Sequence, residues 1–411
     1  MLNKEEYILH RTKLASYLSN NSLMIIFQNP ELEDNYITDK NFLYATGISE
    51  SNDIALIYKN NDKVFEYLFI KPYDPIKEKW VGRGLNKDEA FNLSGIKNIM
   101  YLSDFDNVLH SLLKDNTNVY IDFVRDEYNT YLSSKEQYAN ELKNKYPYIN
   151  IHQARDIFAH ARTIKTKNEI EEIKAAIHIT RLGIEQLMLN ARNNLYEYQL
   201  ESYFDQSIKY NGANGLAFST IAASGKNSCC LHYSANQDQM YNGDLILFDL
   251  GSTYNYYCSD ISRTFPVNGK FSDRQKQIYN IVLNGQKLMF DNMKPGITQR
   301  ELNQILVKYY QVELKKIGLI KEDSEVSKYY FHGVSHHMGL DCHDLCDYLP
   351  LEAGAVISNE PGLYIPEENI GIRIEDDVLI TEDGCINLSS EIIKSVDEIE
   401  DFMKKHNKNC K

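Results

Sequence analysis

Residues 245–250 read LILFDL, and residues 258–265 read CSDISRTF. The first run is apolar enough to form a buried β-strand, but it carries Asp249 next to its end, and Asp260 follows eleven residues later. An ionised carboxylate in apolar surroundings is costly unless it is paired or binds a metal ion. This stretch therefore predicts a strand-rich region whose buried acids have a chemical role.

Two further stretches place acids in or beside apolar strands. Residues 355–362 (AVISNEPG) put Glu360 directly after an apolar run, and residues 370–376 read IGIRIED. Since the side chains of a strand alternate between its faces, Arg373 and Glu375 are expected on one face and the isoleucines on the other. A salt bridge between Arg373 and Glu375 is the structural alternative, but four such acids in one region favour a shared site.

Histidines are concentrated in one segment. Four of the eleven fall within twelve residues, in the stretch 332–344, which reads HGVSHHMGLDCHD. Clustered imidazoles with two glycines are typical of a strand or loop that lines a site, whereas a set of ordinary surface histidines is the alternative. His337 is expected to point away from the site that His336 faces, because adjacent strand residues have opposite faces.

These acids and one histidine form a candidate ligand set for two metal ions. The set is Asp249, Asp260, His336, Glu360 and Glu375. If the five converge, four carboxylates balance the charge of two divalent cations, and oxygen-rich ligation with one imidazole favours Mn²⁺ or Co²⁺ over a thiolate zinc site. Two metals about 3.5–4 Å apart would hold a bridging hydroxide and polarise a carbonyl, which is hydrolytic chemistry.

The chain falls into two parts that differ in the predicted order of their helices and strands. In its first part strands alternate with helices, which predicts an α/β domain over residues 1–160. The predicted strands are 22–27, 54–58, 64–70 and 118–121, and the predicted helices include 1–20, 105–114 and 130–145.

Residues 161–411 show two helices followed by strands, and then the same order again. The predicted helices are 165–190, 195–210, 272–293 and 298–317, and the strands lie within 217–268 and 330–388. This order predicts a second domain of two related halves, so the fold class of the whole chain is α+β.

Composition excludes several classes of partner. The chain has 411 residues, and 44 Lys and Arg against 58 Asp and Glu give a net charge of −14. Without a basic stripe, nucleic acid and anionic membranes are not expected partners. Seven cysteines, an odd number with two adjacent, do not form a disulfide framework. An N-terminus that becomes charged at once and the lack of an apolar run of ~20 residues predict a cytoplasmic protein.

Taken in order, six segments resemble those of the pita-bread metallopeptidases, and most closely the Xaa-Pro aminopeptidase (aminopeptidase P) family. The resemblance covers essentially the whole chain, because that family also has an N-terminal α/β domain of the creatinase type. It implies a pita-bread, pseudo-twofold catalytic domain in residues 161–411. The segments are 232–233, 247–251, 260–265, 332–344, 360–364 and 371–377.

The resemblance implies two divalent metal ions per subunit, with Mn²⁺ favoured over Co²⁺ or Zn²⁺. It implies that Asp249 binds one metal, that His336 and Glu360 bind the other, and that Asp260 and Glu375 bridge the two. Glu360 would also move the protons of the attacking water.

Further roles follow from the same resemblance. The implied catalytic and substrate-binding residues are His232, His332 and His343, which would contact the substrate and steady the tetrahedral intermediate. Arg373 would act in catalysis by orienting the ligands, and Tyr364 beside it would be a further substrate-binding residue. Trp80 would reach the active site of a neighbouring subunit, which implies a homodimer or a higher homo-oligomer.

The implied activity is removal of the N-terminal residue from peptides with proline in second position. A prolidase, which cleaves Xaa-Pro dipeptides with the same metal set, is the alternative. Methionine aminopeptidases usually lack the N-terminal domain, and creatinase lacks the metal ligands. A non-catalytic peptide-binding module is disfavoured for the same reason, since all five ligand positions are filled here. Cys342 and Cys346 flank His343, but no second ligand pair follows to complete a zinc site.

Overall fold

The structure is a computed structural model that describes residues 2–30, 37–123, 131–347 and 349–410. The chain folds as two compact units, Met1–Ala161 and Arg162–Lys411. Among the described helices, none combines the length and the apolar composition that crossing a bilayer would take.

The N-terminal unit is a six-stranded mixed sheet with helices. Its strand order is β4-β3-β2-β1-β5-β6, with β1–β2 and β2–β3 antiparallel and the other three pairs parallel. The strands are β1 Ser22–Phe27, β2 Ile54–Asn60, β3 Lys63–Ile70, β4 Asn98–Tyr101, β5 Asn118–Ile121 and β6 Asn150–Gln153. Its helices are α1 Lys4–Ser16, α2 Lys40–Thr46, α3 Pro75–Val81, α4 Lys87–Ser94, α5 Phe105–Leu112 and α6 Ser134–Lys145. Helix α7 Arg155–Thr163 begins in this unit, and its last two residues, Arg162 and Thr163, belong to the second unit.

Strand β1 lies inside this sheet, and four consecutive apolar side chains from Leu23 to Ile26 are at most 1% exposed. A strand covered on both faces needs such a continuous apolar run. The α/β character predicted for this domain is confirmed. Residue 130, where one predicted helix begins, lies outside the described residues.

The C-terminal unit has two helices, then strands, then two helices and strands again, as predicted. Its helices are α8 Lys167–Asn190, α9 Glu197–Tyr210, α10 Asp273–Asn292, α11 Gln299–Lys316 and α12 Val396–His406. Its strands are β7 Gly215–Leu216, β8 Ile221–Ser224, β9 Leu245–Leu250, β10 Ser252–Tyr254, β11 Tyr257–Cys258, β12 Ile261–Pro266, β13 Val356–Asn359, β14 Gly362–Ile365, β15 Ile370–Arg373, β16 Asp376–Ile380 and β17 Cys385–Asn387.

The strands of this unit form small antiparallel sheets. Their orders are β12-β9-β8, β11-β10-β7, β13-β16-β17 and β14-β15. Gly251 follows β9, and a Cβ atom at this position would lie 1.9 Å from the carbonyl oxygen of Ser259. Only glycine therefore lets the chain return so closely, which brings the segments that carry Asp249 and Asp260 side by side.

Candidate metal centre and catalytic site

A cavity of about 260 Å³ in the C-terminal unit collects the residues that the sequence singled out. All five predicted metal ligands, all three predicted substrate-contacting histidines and Arg373 line it. The lining residues are Leu231, His232, Asp249, Asp260, His332, Gly333, Ser335, His336, His343, Glu360, Arg373 and Glu375.

The register of strands β9 and β12 places the first two acids. Ser262 pairs with Asp249 across the two strands, and Asp260 stands directly before β12. Because Asp260 and Ser262 are two residues apart, their side chains point to the same side. The Ser262 Oγ lies 3.0 Å from Asp249 Oδ1 and 2.7 Å from Glu375 Oε2, so this hydroxyl joins two of the carboxylates.

His336 and Glu360 meet because residues 334–338 run beside strand β13. Ser358 donates its backbone N–H to the His336 carbonyl at 2.9 Å, and Glu360 donates to the Val334 carbonyl at 3.0 Å. This pairing places His336 Nε2 3.6 Å from Glu360 Oε1.

Three donor atoms then form the centre of the cluster. His336 Nε2 lies 3.3 Å from Asp260 Oδ2 and 3.9 Å from Glu375 Oε1. One ligand atom from each of these residues lies within 4.8 Å of the other two, which is a spacing that could hold a metal ion. Glu375 is fixed there by its backbone N–H, which donates to the Ser262 carbonyl at 3.1 Å.

Arg373 is a buried branch point beside the cluster. Its Nη2 pairs with Asp249 Oδ2 at 2.6 Å, and its Nε donates to Ser262 Oγ at 2.8 Å. Its Nη1 donates to the Tyr364 hydroxyl at 3.0 Å. The ion pair of Arg373 is thus with Asp249, whereas the sequence alternative paired it with Glu375. Groups that hold metal ligands in this way fix their orientation.

The hydrogen-bond chain continues from Tyr364 to His332. Tyr364 lies 2.9 Å from His332 Nε2, and His332 Nδ1 lies 2.7 Å from the Gly333 carbonyl. Since that carbonyl only accepts, Nδ1 carries the proton and Nε2 accepts from the Tyr364 hydroxyl. Burial and the Arg373 charge lower the pKa of His332 to about 4, so this imidazole is neutral near pH 7.

The acids of the cluster repel one another. Burial, with the charges of Asp260 and Asp249, raises the pKa of Glu360 to about 7, although His336 and Arg373 oppose the rise. Burial and the neighbouring carboxylates likewise raise the pKa of Glu375 well above its usual range. Burial would lower the pKa of His336, but the hydrogen bond and charge of Asp260 and the charge of Glu360 raise it to about 9.

This donor set fits divalent cations. The positively charged side chains of the protein do not balance the negative charge of these acids. The pKa values of Glu360 and Glu375 are therefore raised. Carboxylate oxygens with a single imidazole are ligands of Mn²⁺-type ions. The cluster Asp260, His336 and Glu375, with Glu360 next to His336, could therefore hold metal, and Asp249 adjoins it through Ser262.

The remaining predicted residues are placed as follows. His232 and His343 are exposed on the cavity wall, and the His343 ring lies 4.1 Å from the His336 ring. Trp80 lies on helix α3 of the N-terminal unit, where it is 85% exposed. His337 is buried and is not among the cavity-lining residues, so it points away as expected.

The sequence interpretation missed three side chains that touch the ligands, of which Ser358 donates its hydroxyl to Glu360 Oε1 at 3.2 Å. Ser262 joins Asp249 to Glu375, and its position two residues after Asp260 in a strand was a usable signal. Cys342, for which the sequence predicted no role in the site, donates its thiol proton to Asp260 Oδ2 at 2.8 Å. It stands in a loop without periodicity, so no pattern in the sequence indicated this contact.

Comparisons with known proteins match both parts of the chain. Residues 171–382 match the model of metallopeptidase family M24, and residues 7–120 match that of the aminopeptidase P N-terminal domain. The Xaa-Pro aminopeptidase of Haemophilus influenzae is 32% identical over 98% of both chains, and that of Escherichia coli is 33% identical over 98% of both.

Solved structures have the same architecture. The aminopeptidase P of Escherichia coli with the inhibitor Pro-Leu superposes with a TM-score of 0.89 at 31% identity, covering 98% of this chain and 99% of that chain. A Bacillus anthracis protein assigned as an aminopeptidase P superposes with a TM-score of 0.96 at 43% identity, covering 99% and 100%. The chain therefore belongs to metallopeptidase family M24, within which it carries the N-terminal domain of aminopeptidase P.

Proposed function

We propose that this protein is an Xaa-Pro aminopeptidase, a metal-dependent enzyme that hydrolyses the bond between the first residue of a peptide and a proline in second position. The observation that carries the proposal is the convergence of Asp260, His336, Glu360 and Glu375 on one cavity, with Asp249 joined to them through Ser262. Relatives that match it over 98% of their length carry the name Xaa-Pro aminopeptidase.

When bound, two divalent cations supply Lewis acidity and an activated water at this site. We assign their binding to Asp249, Asp260, His336, Glu360 and Glu375. Glu360 accepts the proton of the attacking water and returns it to the proline nitrogen. Its Oε1 accepts a hydrogen bond from Ser358 Oγ at 3.2 Å, which fixes the carboxylate, so we place the moving proton on Oε2. A general base acts best when its pKa is near the working pH.

The histidines of the cavity wall act on the substrate. His332 is held neutral, with its ring fixed between Tyr364 and the Gly333 carbonyl. His232 and His343 are exposed to the cavity, where their N–H groups can donate to the scissile carbonyl and to the charge that develops on its oxygen. Arg373 keeps Asp249 and Tyr364 in place.

We propose Mn²⁺ as the metal, supported by the oxygen-rich donor set. We propose a homo-oligomer to which the exposed Trp80 contributes a substrate contact in a neighbouring subunit. We propose a cytoplasmic protein without nucleic-acid or membrane partners, supported by the net charge of −14 and the cysteine pattern. We place the domain boundary between residues 160 and 161.

The test is turnover of Xaa-Pro-Xaa tripeptides and Xaa-Pro dipeptides after incubation with Mn²⁺, with bound metal measured in the same samples. We expect tripeptides to be cleaved and Glu360→Ala to lose nearly all turnover. Cleavage of dipeptides alone would make the protein a prolidase. Absence of both hydrolysis and bound metal would overturn the proposal in favour of a peptide-binding role.

A further inference from the structure

The residues 337–344, called here the His343 loop, carry two side chains to the candidate metal centre. The ring of His343 packs edge-on against the ring of His336, with 4.1 Å between their centroids. The thiol of Cys342 donates to Asp260 Oδ2 at 2.8 Å. Neither residue belongs to a helix or strand, so other contacts must fix the positions of both side chains.

The backbone of the His343 loop supplies part of that restraint. Asp344 donates its N–H to the His337 carbonyl at 2.9 Å, which closes the loop. Gly339 donates to the Asp341 carbonyl at 3.0 Å and accepts from the backbone of Cys258 at 2.8 Å. These bonds fix the ends of the loop, but they do not contact the side chain of His343.

Two positively charged side chains, those of Arg162 and Lys165, bind the acids that flank Cys342 and His343. Arg162 Nη2 pairs with Asp341 Oδ2 at 2.6 Å and also with Asp344 Oδ1. Lys165 Nζ lies 3.1 Å from Asp344 Oδ2. The side chains of Arg162, Lys165 and Asp344 are at most 2% exposed, whereas that of Asp341 is 42% exposed.

Backbone contacts fix the segment that carries Arg162 and Lys165. Lys165 donates its N–H to the Gly354 carbonyl at 2.9 Å, and Ile164 forms a β-bridge with Ala355, next to strand β13. Strand β13 is followed directly by Glu360. The segment before helix α8 is therefore attached to the same strand that positions one of the candidate metal ligands.

Close packing independently supports a tight restraint on the loop. A Cβ atom at Gly339 would lie 2.3 Å from Asp344 Oδ2 and 2.9 Å from Lys165 Cε. The loop is thus pressed against the ion pairs. Buried ion pairs contribute little net stability because both charges lose their hydration, so a role in fixing one conformation is the better account of them.

We propose that Arg162 and Lys165 are positioning residues which, through Asp341 and Asp344, hold the His343 loop so that His343 faces the reacting carbonyl. The inference rests on the proposed function, because it assigns His343 a contact with the substrate. It also predicts that Cys342 is protected beside Asp260 only while the ion pairs are intact.

The first test needs no catalysis. In metal-free protein we expect Arg162→Gln to accelerate the alkylation of Cys342 by iodoacetamide at least tenfold. Mass spectrometry of the peptide that contains Cys342 measures the rate. The matched control is Arg274→Gln, which breaks an arginine–glutamate pair with Glu368 elsewhere in the same unit, and it should leave the rate unchanged. An unchanged rate in a folded Arg162→Gln variant overturns the proposal.

The second test is a double-mutant cycle in the Mn²⁺-loaded enzyme. We expect Arg162→Gln to lower kcat about 10- to 100-fold, with a smaller change in KM and the metal content unchanged. The double variant Arg162→Gln/His343→Ala should be about as impaired as His343→Ala alone, because Arg162 acts through His343. If the fold losses in kcat of the two single variants multiply in the double variant, Arg162 and His343 act independently, and the proposal is overturned.

Two further outcomes remain informative. If Arg162→Gln does not fold, Asp341→Asn takes its place in both tests, because the Asp341 carboxylate is half-exposed. An alkylation rate and a kcat in Asp341→Asn that equal those of the wild type would then overturn the proposal. If the wild type cleaves no Xaa-Pro peptide, the proposed function fails, and the alkylation test still decides whether the ion pairs hold the loop.

Discussion

Ser262 is the single residue on which the geometry of the candidate metal centre depends most directly. Its hydroxyl oxygen lies within 3.0 Å of an oxygen of Asp249 and of Glu375, and it accepts a hydrogen bond from Arg373. A hydroxyl has one proton, so it donates to one carboxylate at a time while its lone pairs accept from the guanidinium. It therefore sets the distance between two acids that would otherwise move apart.

This arrangement predicts the effect of Ser262→Ala. We expect the affinity for Mn²⁺ to fall about tenfold, because two ligand carboxylates lose the group that orients them. Titration calorimetry on metal-free protein at pH 7 measures the change.

The matched control is Ser259→Ala, three residues earlier in the chain, between strands β11 and β12. The Ser259 hydroxyl is equally buried but bonds Thr180 of helix α8, so this variant should lose stability and keep its metal affinity. Equal metal affinities in wild type and Ser262→Ala would contradict the orienting role.

At the scale of elements, a buried glutamate at the start of helix α9 holds the loop that carries His232. Glu197 Oε1 accepts from the backbone and hydroxyl of Ser224, each at 2.7 Å, and from Asn227 at 3.1 Å. Its Oε2 accepts from the Tyr233 hydroxyl at 2.8 Å and from the Asp238 N–H at 3.0 Å. The wall of the cavity at His232 thus rests on a helix through one carboxylate.

Replacement of this carboxylate by an amide, Glu197→Gln, tests that support. The amide NH₂ would face at least one backbone donor, and we expect the free energy of unfolding to fall by about 2 kcal/mol. Peptide turnover should fall as well, because the loop that carries His232 loses its anchor. Urea unfolding and kinetics on the same preparation measure both effects.

Glu301→Gln is the control for this substitution. Glu301 is the exposed acid of the capping box of helix α11, where glutamine serves equally well. A Glu197→Gln variant as stable and active as this control would show that the loop is held by other contacts.

The elements also show what could be predicted from sequence. Strands β1 and β5 were predicted with their observed bounds, because short apolar runs end sharply at polar residues. The helices predicted from residues 165, 272 and 298 begin one or two residues later, since Thr166, Ser272 and Thr298 are N-caps outside the helix.

Other parts of the fold and site could not be predicted in this way. Strands β4 and β6 have four residues each and are partly exposed, so they have little apolar pattern. The site acids were recognisable because charge in an apolar strand is costly. The contacts of Cys342 and Arg162 depend on a loop and on a partner almost two hundred residues away, and neither leaves a periodic signal.

At the scale of the whole molecule, the net charge of −14 is distributed unevenly. The candidate centre concentrates Asp260, Glu360 and Glu375 around one imidazole, and these carboxylates repel one another. Metal binding would relieve that repulsion, so metal and fold are thermodynamically linked.

This linkage predicts how metal-free stability depends on pH. The folded-state pKa of Glu360 is raised from 4.5 to about 7, and that of His336 from 6.5 to about 9. Between its unfolded and folded values each of these two groups binds more protons in the folded state, so their contribution to stability falls as pH rises from about 4.5 to 9. The pKa of His332, lowered from 6.5 to about 4, acts in the opposite sense below pH 6.5, so we expect the net fall in stability between about pH 6.5 and 9. Mn²⁺ replaces the protons and should raise Tm most at the alkaline end.

Thermal unfolding in a chelator and in Mn²⁺, from pH 5 to pH 9, measures this effect. The variant Glu360→Gln, which has no titratable group at that position, should show a flatter profile in the chelator. A metal-free Tm that rises steadily from about pH 6.5 to 9 would contradict the assignment of the raised pKa values to Glu360 and His336.

The hydrogen-bond chain from Asp249 through Arg373 and Tyr364 to His332 has a consequence for how ligands influence one another. A cation that fixes Asp249 would restrain the guanidinium, and the guanidinium, through Tyr364, restrains the imidazole that the proposed function places beside the substrate. Coupling between two sites is reciprocal in free energy, so a peptide that orders His332 must tighten metal binding by the same factor that metal tightens peptide binding. Affinities for the two ligands measured separately would therefore underestimate the affinity of either in the presence of the other.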